Sequence, residues 1–340
     1  MGRILRTALL ALASLTLVAA QPAPVALDAL LAEEPAPTLA DYRLFTDAGA
    51  TQPNTRVTPY VLNTPLFSDY ALKHRYVFVP PGQTIGYRAS GVLDFPVGTA
   101  LVKTFAYPAD LRVKGSPERF LETRLLVRKA DGWAAYPYVW NADGSEAVLK
   151  KAGARLDASW IHGDGEPRQV RWSVPNVNQC KGCHASGDAI IPIGPKAWNL
   201  GSTQLASWTK LGLMAAATNV PKVPAWDDSA APVAIRARAY VDVNCAHCHT
   251  AKGPASNSGL YLEWDQPDRV AQGIGKRPVA AGRASAGLEF AIAPGHPESS
   301  ILVHRMASTE AGIMMPELGR TLSHAEGVAL VSDYVAGLKR

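Results

Sequence analysis

Five stretches in the first half of the chain either alternate apolar and polar residues or run apolar: Arg75–Val79, Ala100–Tyr107, Phe120–Val127, Trp133–Trp140 and Val170–Val174. A period of two puts successive side chains on opposite faces, so these stretches predict strands. Turn signals separate them at Pro80-Pro81-Gly82, Asp131-Gly132 and Asp143-Gly144, and Phe95-Pro96-Val97-Gly98-Thr99 reads as a turn at a strand edge. Short strands with frequent turns predict an antiparallel, β-sandwich-like domain over residues 41–174. Further on the period lengthens. Ser202 is placed to cap a helix through Leu205, Trp208, Leu211 and Leu213 to Met214. Asp227, Asp228 or Ser229 can cap a second helix, with Pro232 in its first turn and Val233, Ala237, Tyr240 and Val241 along it. A short helix is expected over Ser299–Met306. Val328, Val331, Val335 and Leu338 recur at helical spacing behind a Ser323-x-x-Glu326 capping box. The fold class is therefore α+β, strands first and helices after.

The first residues follow a different logic. Arg3 and Arg6 precede an apolar run from Ala8 to Val18, and Val18-Ala19-Ala20 offers small residues for cleavage. Residues 1–20 read as a secretory signal peptide cleaved near Ala20, which implies a periplasmic or secreted protein. Residues 21–40, rich in Ala and Pro, read as a flexible leader. No later stretch has the ~18 apolar residues of a membrane span. The length of 340 residues suits about two domains. The net charge of +5 falls to +3 once Arg3 and Arg6 are removed, which gives no reason to expect nucleic acid.

All four cysteines lie in two CxxC pairs, each followed at once by His: Cys180-Lys181-Gly182-Cys183-His184 and Cys245-Ala246-His247-Cys248-His249. This is the pattern of c-type haem attachment. Two thiols add to the two vinyl groups of one haem, and the next residue reaches the iron as its proximal ligand. Disulfides would not require a His after both pairs. A zinc ribbon would place its pairs ~15–20 residues apart, whereas Cys183 and Cys245 stand 62 positions apart (245 minus 183). The expectation is two covalent haem c groups held by Cys180, Cys183, Cys245 and Cys248, with His184 and His249 on the irons. Their four propionates would offset the remaining positive charge.

A second axial ligand completes an electron-transfer haem, and a methionine thioether raises its potential. Met314-Met315-Pro316 lies between the short helix and the last helix, with Met315 the favoured distal ligand of the second haem and Met314 the alternative. Helix, CxxCH, long wrapping segment, methionine loop and final helix make residues 227–340 similar to class I cytochrome c. The stretch Pro294-Gly295-His296-Pro297-Glu298-Ser299-Ser300-Ile301-Leu302 before Met315-Pro316 carries the same likeness. Arg283 and Trp264 have N–H donors suited to propionates. His247, His296, His304 and His324 read as surface or loop residues. The mature chain as a whole resembles an uncharacterised family of bacterial dihaem c-type cytochromes with a β-rich N-terminal half. The matching stretches are Pro65-Leu66-Phe67-Ser68-Asp69-Tyr70, Phe95-Pro96-Val97-Gly98-Thr99, Asn178-Gln179-Cys180, Asp242-Val243-Asn244-Cys245 and Met314-Met315-Pro316-Glu317-Leu318-Gly319-Arg320. The resemblance implies the fold and two haems, and offers an exported parallel β-helix protein as a candidate redox partner.

The first haem has a different setting. Cys180 follows the extended stretch Trp172-Ser173-Val174-Pro175-Asn176 and no amphipathic helix, so residues 175–226 read as a minimal module packed against its neighbours. Met214, the only methionine between the two motifs, is a tentative distal ligand; His74, His162 or an open position are the alternatives. Single-electron transfer to and from a partner protein is the leading functional expectation, with no catalytic residue assigned. A peroxidase-like enzyme using an open first haem is the alternative, and a β domain that docks a ligand is a third reading.

Overall fold

The computed structural model describes residues 21–280 and 282–339. The proposed signal peptide lies outside the described residues. Period-two patterning produces one six-stranded antiparallel sheet of strands in chain order: β1 (Val57–Pro59), β2 (Leu72–Phe78), β3 (Ala100–Pro108), β4 (Glu118–Lys129), β5 (Gly132–Trp140) and β6 (Ala147–Leu149). The long central strand β3 is buried along almost its whole length because both faces of the sheet are covered. A separate antiparallel hairpin, β7 (Ala154–Ile161) and β8 (Pro167–Val174), packs on the sheet through Phe105, Tyr107, Leu121, Trp160 and Trp172. The sandwich expectation is thus corrected in part. The antiparallel sheet is there, but the strands outside it among the described residues form two two-stranded hairpins, this one and a short one of Ala185–Ser186 with Ala189–Ile190, and no second full sheet.

The two faces of the sheet have different covers. Phe78, Val102, Leu125, Val127 and Tyr138 point to one face, where Val25, Leu30, Leu39, Tyr42 and Leu44 close the core. Residues 21–40 are therefore not a flexible leader. They form a short helix, α1 (Leu27–Leu31), and its flanks, and Leu30 and Leu39 are 1% and 3% exposed. Ala and Pro dominate the composition, but three well-spaced apolar side chains are enough to anchor the segment to the sheet. Val77, Leu101 and Leu126 point to the other face and meet Ala197, Leu205 and Trp208.

Those last residues belong to α3 (Ala197–Lys210), which follows α2 (Val177–His184). Its helical run breaks at Gly201, whose φ of +74° is in the left-handed region open to glycine. The helix predicted through Met214 stops at Lys210, because Gly212 turns the chain with φ +70°. The remaining helices are α4 (Val233–Val241), α5 (Ile301–Ala307) and α6 (Ala325–Ala336). Helices α4 and α6 pack around Ala237, Tyr240, Val241, Leu330, Val331 and Val335. Gly327 makes this approach possible, since a Cβ there would fall 2.3 Å from the Tyr240 hydroxyl.

Two capping expectations are overturned. Pro232 itself is the N-cap of α4, without help from Asp227, Asp228 or Ser229. Helix α6 starts behind His324, not at a Ser323–Glu326 box: Ser323 donates to the Met306 carbonyl and Glu326 accepts from Tyr70. Long-range partners have outcompeted the local cap. Among the described residues no helix is long and apolar enough to cross a membrane.

Candidate functional site

The first Cys-x-x-Cys-His motif is the body of α2. Strand β8 ends at Val174, Pro175 cannot continue the ladder, and Asn176 then caps the helix. Asn176 Oδ1 accepts from the Gln179 N–H at 2.8 Å, and Gln179 Oε1 accepts from the Asn176 N–H at 3.0 Å. This reciprocal box satisfies two otherwise orphaned donors. Cys180 and Cys183 are three residues apart, so one face of the helix presents both thiols. His184 Nδ1 lies 2.7 Å from the Ile191 carbonyl, which can only accept. The ring proton is thereby assigned to Nδ1 and Nε2 keeps its lone pair, the arrangement expected of an imidazole ligand. Burial pushes the His184 pKa down to about 4, so the ring is neutral at pH 7.

The second motif grows out of α4. The helix widens over Asp242–Ala246 and delivers Cys245, with the His249 N–H donating to the Cys245 carbonyl at 2.9 Å. Asp242, 2% exposed, accepts from Lys196 at 2.5 Å and from the Trp264 N–H at 2.7 Å. Asn244 accepts from the Phe67 N–H at 2.8 Å and donates to the Tyr240 carbonyl at 2.9 Å. His249 repeats the geometry of His184. Its Nδ1 lies 3.1 Å from Ser258 Oγ, and that hydroxyl spends its own proton on the Ala255 carbonyl at 2.7 Å. The oxygen can therefore accept from the ring, leaving His249 Nε2 free. Burial lowers this pKa to about 4 as well.

The two motifs touch. Cys248 Sγ is 3.8 Å from the Gly182 carbonyl, and the Gly187 N–H donates to the Lys252 carbonyl at 2.9 Å. None of the four cysteines is in a disulfide, and burial raises all four thiol pKa values, Cys245 to about 12 and Cys248 to about 11. A cavity of about 320 Å³ is lined by Cys180, Cys183 and His184 from one motif, Cys245 and His247 from the other, and Met314 and Met315; Cys248 and His249 are not among its lining residues. The methionine loop is held from below by Arg320, 6% exposed, which donates to the carbonyls of Met315 (2.8 Å), Ser308 (2.9 Å) and Leu322 (2.9 Å).

Several sequence expectations change here. Met214 does not line this cavity. It is 3% exposed and packs with Ile85, Leu213 and Trp208 in the core under α3, so it is withdrawn as a distal ligand. His74 pairs with Glu118 at 2.5 Å and His162 packs on Tyr70, and neither reaches the cavity walls beside Cys180. Arg283 is committed to Glu310 at 2.9 Å and is largely exposed. Trp264 stacks on Trp198 with ring centroids 5.7 Å apart.

His324 and His247 are not surface residues. His247 is part-buried and lines the cavity between the two motifs. His324 stacks on Phe67 at 4.3 Å, and its Nδ1 lies 2.9 Å from the Tyr240 hydroxyl. Burial lowers the His324 pKa to about 4. On acidification the unfolded chain takes up this proton first, near pH ~6.5, while the native ring resists until about pH 4. Native stability is therefore expected to fall as pH drops through that window. Urea unfolding midpoints measured at pH 7 and pH 5 should move closer together in His324→Gln; an unchanged difference would contradict this assignment.

No family model matches the chain, and no curated protein or solved structure matches it.

Proposed function

We propose that each Cys-x-x-Cys-His motif carries a covalent haem c, and that the chain transfers single electrons through the pair to and from a partner protein. The observation that carries this reading is the matched state of His184 and His249. Each ring is neutral and gives its Nδ1 proton to a neighbouring acceptor, so Nε2 is left to a metal. A haem asks little else of the chain, since the porphyrin brings four nitrogens of its own. It needs two thiols spaced for its vinyl groups, one imidazole, and a further ligand if the iron is to be six-coordinate. The thiols and imidazoles are present twice, and Met314 and Met315 line the shared cavity. When bound, the haems would supply irons that cycle between two oxidation states; the chain would fix their ligands and keep the attachment sites in contact at Cys248 and Gly182.

In this reading residues 227–340 are a class I cytochrome c domain with Met315 as distal ligand, and the protein is exported, with a redox protein such as an exported β-helix protein as partner. The withdrawal of Met214 favours one alternative, in which the first iron keeps an open position and the protein acts on peroxide. The experiment is a haem stain after denaturing electrophoresis, a pyridine haemochrome count and a redox titration. Two haems per chain, one after Cys180→Ala/Cys183→Ala, and two reversible one-electron steps are expected. Fewer than two haems in the unaltered chain, or no reversible step, overturns the proposal. A high-spin ferric signal with peroxide turnover selects the alternative.

A further inference from the structure

Strand register places three cations in one row across the sheet. Arg75 on β2 stands opposite Lys103 on β3, and Lys103 stands opposite Arg124 on β4. All three share a face, and with Cys180 and His184 they line a cavity of about 100 Å³ between the sheet and the first motif. Like charges on directly opposed residues destabilise a sheet, so the row calls for compensating anions. One is built in. Glu122, 0% exposed, takes both its oxygens to Arg124, at 2.6 and 3.0 Å, and accepts from the Trp172 indole at 2.9 Å. Its ion pair is with Arg124, and among the described residues it makes none with the other two. Arg75 donates to the Lys73 carbonyl at 3.2 Å and has no ion pair among the described residues. Lys103 has neither a hydrogen bond nor an ion pair among them, and its ammonium lies 5.0 Å from the centre of the Phe105 ring. Lys73, next along the same face of β2, turns its amine to the Ala71 carbonyl at 3.1 Å, and burial drives its pKa well down. Three basic side chains in the row thus meet one carboxylate, and burial beside Arg124 and Arg75 lowers the Lys103 pKa to about 7, as befits an amine with no anion at hand.

We propose that the Arg75–Lys103–Arg124 row is the carboxylate-binding wall of the first haem site, receiving the propionates of the haem attached at Cys180 and Cys183. The inference rests on the haem reading of that motif and goes beyond it. It assigns the β-rich half a definite role, in which the sheet supplies one wall of a haem site whose helices are too few to enclose it. The two basic side chains left without a carboxylate match the two carboxylates that a haem brings. Arg and Lys both donate to carboxylates without an acceptor of their own.

The test uses the haem-loaded protein. The variants Lys103→Gln, Arg75→Gln and Lys103→Arg are compared by haem count, redox titration and redox-difference infrared spectroscopy of carboxylate bands. Both haems should remain, because attachment is through the thiols. Removing a cation favours the more positive, oxidised iron, so one midpoint potential should fall by about 59 mV, a tenfold change for a one-electron couple. The other should stay, and Cys180→Ala/Cys183→Ala identifies which is which. The carboxylate bands should shift in both Gln variants, and Lys103→Arg should keep the original values. If Lys103→Gln does not accumulate, Arg75→Gln carries the measurement. Two haems with both potentials and all carboxylate bands unmoved overturn the proposal. So does a changed axial-ligand spectrum in Lys103→Gln, which would make Lys103 an iron ligand. Fewer than two haems in the unaltered chain would refute the haem reading instead.

Discussion

Replacing Glu122 with Gln should destabilise the protein by about 3 kcal/mol, among the largest costs expected of any isosteric change in the sheet. The side chain is fully buried and answers Arg124 with both oxygens. Gln keeps the shape and one acceptor but removes the buried carboxylate that both Arg124 nitrogens bond. A buried pair broken on one side costs ~3–5 kcal/mol, and the lower end applies because Arg124 is 25% exposed. Urea unfolding of the haem-loaded chain measures it. The double variant Glu122→Leu/Arg124→Met should recover much of the loss, because neither charge is then stranded. A Glu122→Gln midpoint close to the original would show that the carboxylate is not what balances the row.

The sheet was legible because its period is short and local. Five strands predicted from alternation are present close to their expected ends. The strand Ala154–Ile161 obeys the same rule, with Leu156, Ala158 and Trp160 alternating against Arg155, Asp157 and Ser159, and could have been read from it. Strands β1 and β6 are three residues each, too short to show a period. The two Cys-x-x-Cys-His motifs were legible because each is a short contiguous run of the chain. What supports them was not. Arg75, Lys103 and Arg124 are far apart in sequence and become one row only through register. The caps failed for the same reason, since Ser323, Glu326 and His324 find partners in α5, in Tyr70 and in Tyr240. Met214 stands out in the sequence as the only methionine between the two motifs, but it is buried beside Ile85 and Trp208.

The stretch Pro65–Tyr70 shows what the β-rich half does for the second motif. Asp69, 3% exposed, accepts from the Thr321 N–H (2.8 Å), the Thr321 hydroxyl (3.1 Å) and the Leu322 N–H (2.7 Å). Two residues earlier, the Phe67 N–H reaches Asn244, the neighbour of Cys245. The stretches around Asp69, Asn244 and Arg320 thus meet at the wall of one cavity. Burial pushes the Asp69 carboxyl up even against these donors, so they do not fully repay its desolvation. Asp69 also holds a φ of +49° and Tyr70 one of +62°, a left-handed pair that the surrounding bonds must maintain. Asp69→Ala should therefore cost about 3–4 kcal/mol, from buried donors left unpaired and from the poor tolerance of Ala for this φ. Asp69→Asn tolerates the φ and keeps one acceptor, so it should lie between the two. In the haem-loaded chain the loop from Met315 to Arg320 would lose its anchor to the sheet side. The near-infrared band of methionine sulfur on iron should weaken in the order original, Asn, Ala, alongside the fall in the urea midpoint. Loss of stability with that band intact would make Asp69 a fastener of the fold alone, and remove it from the positioning of Met315.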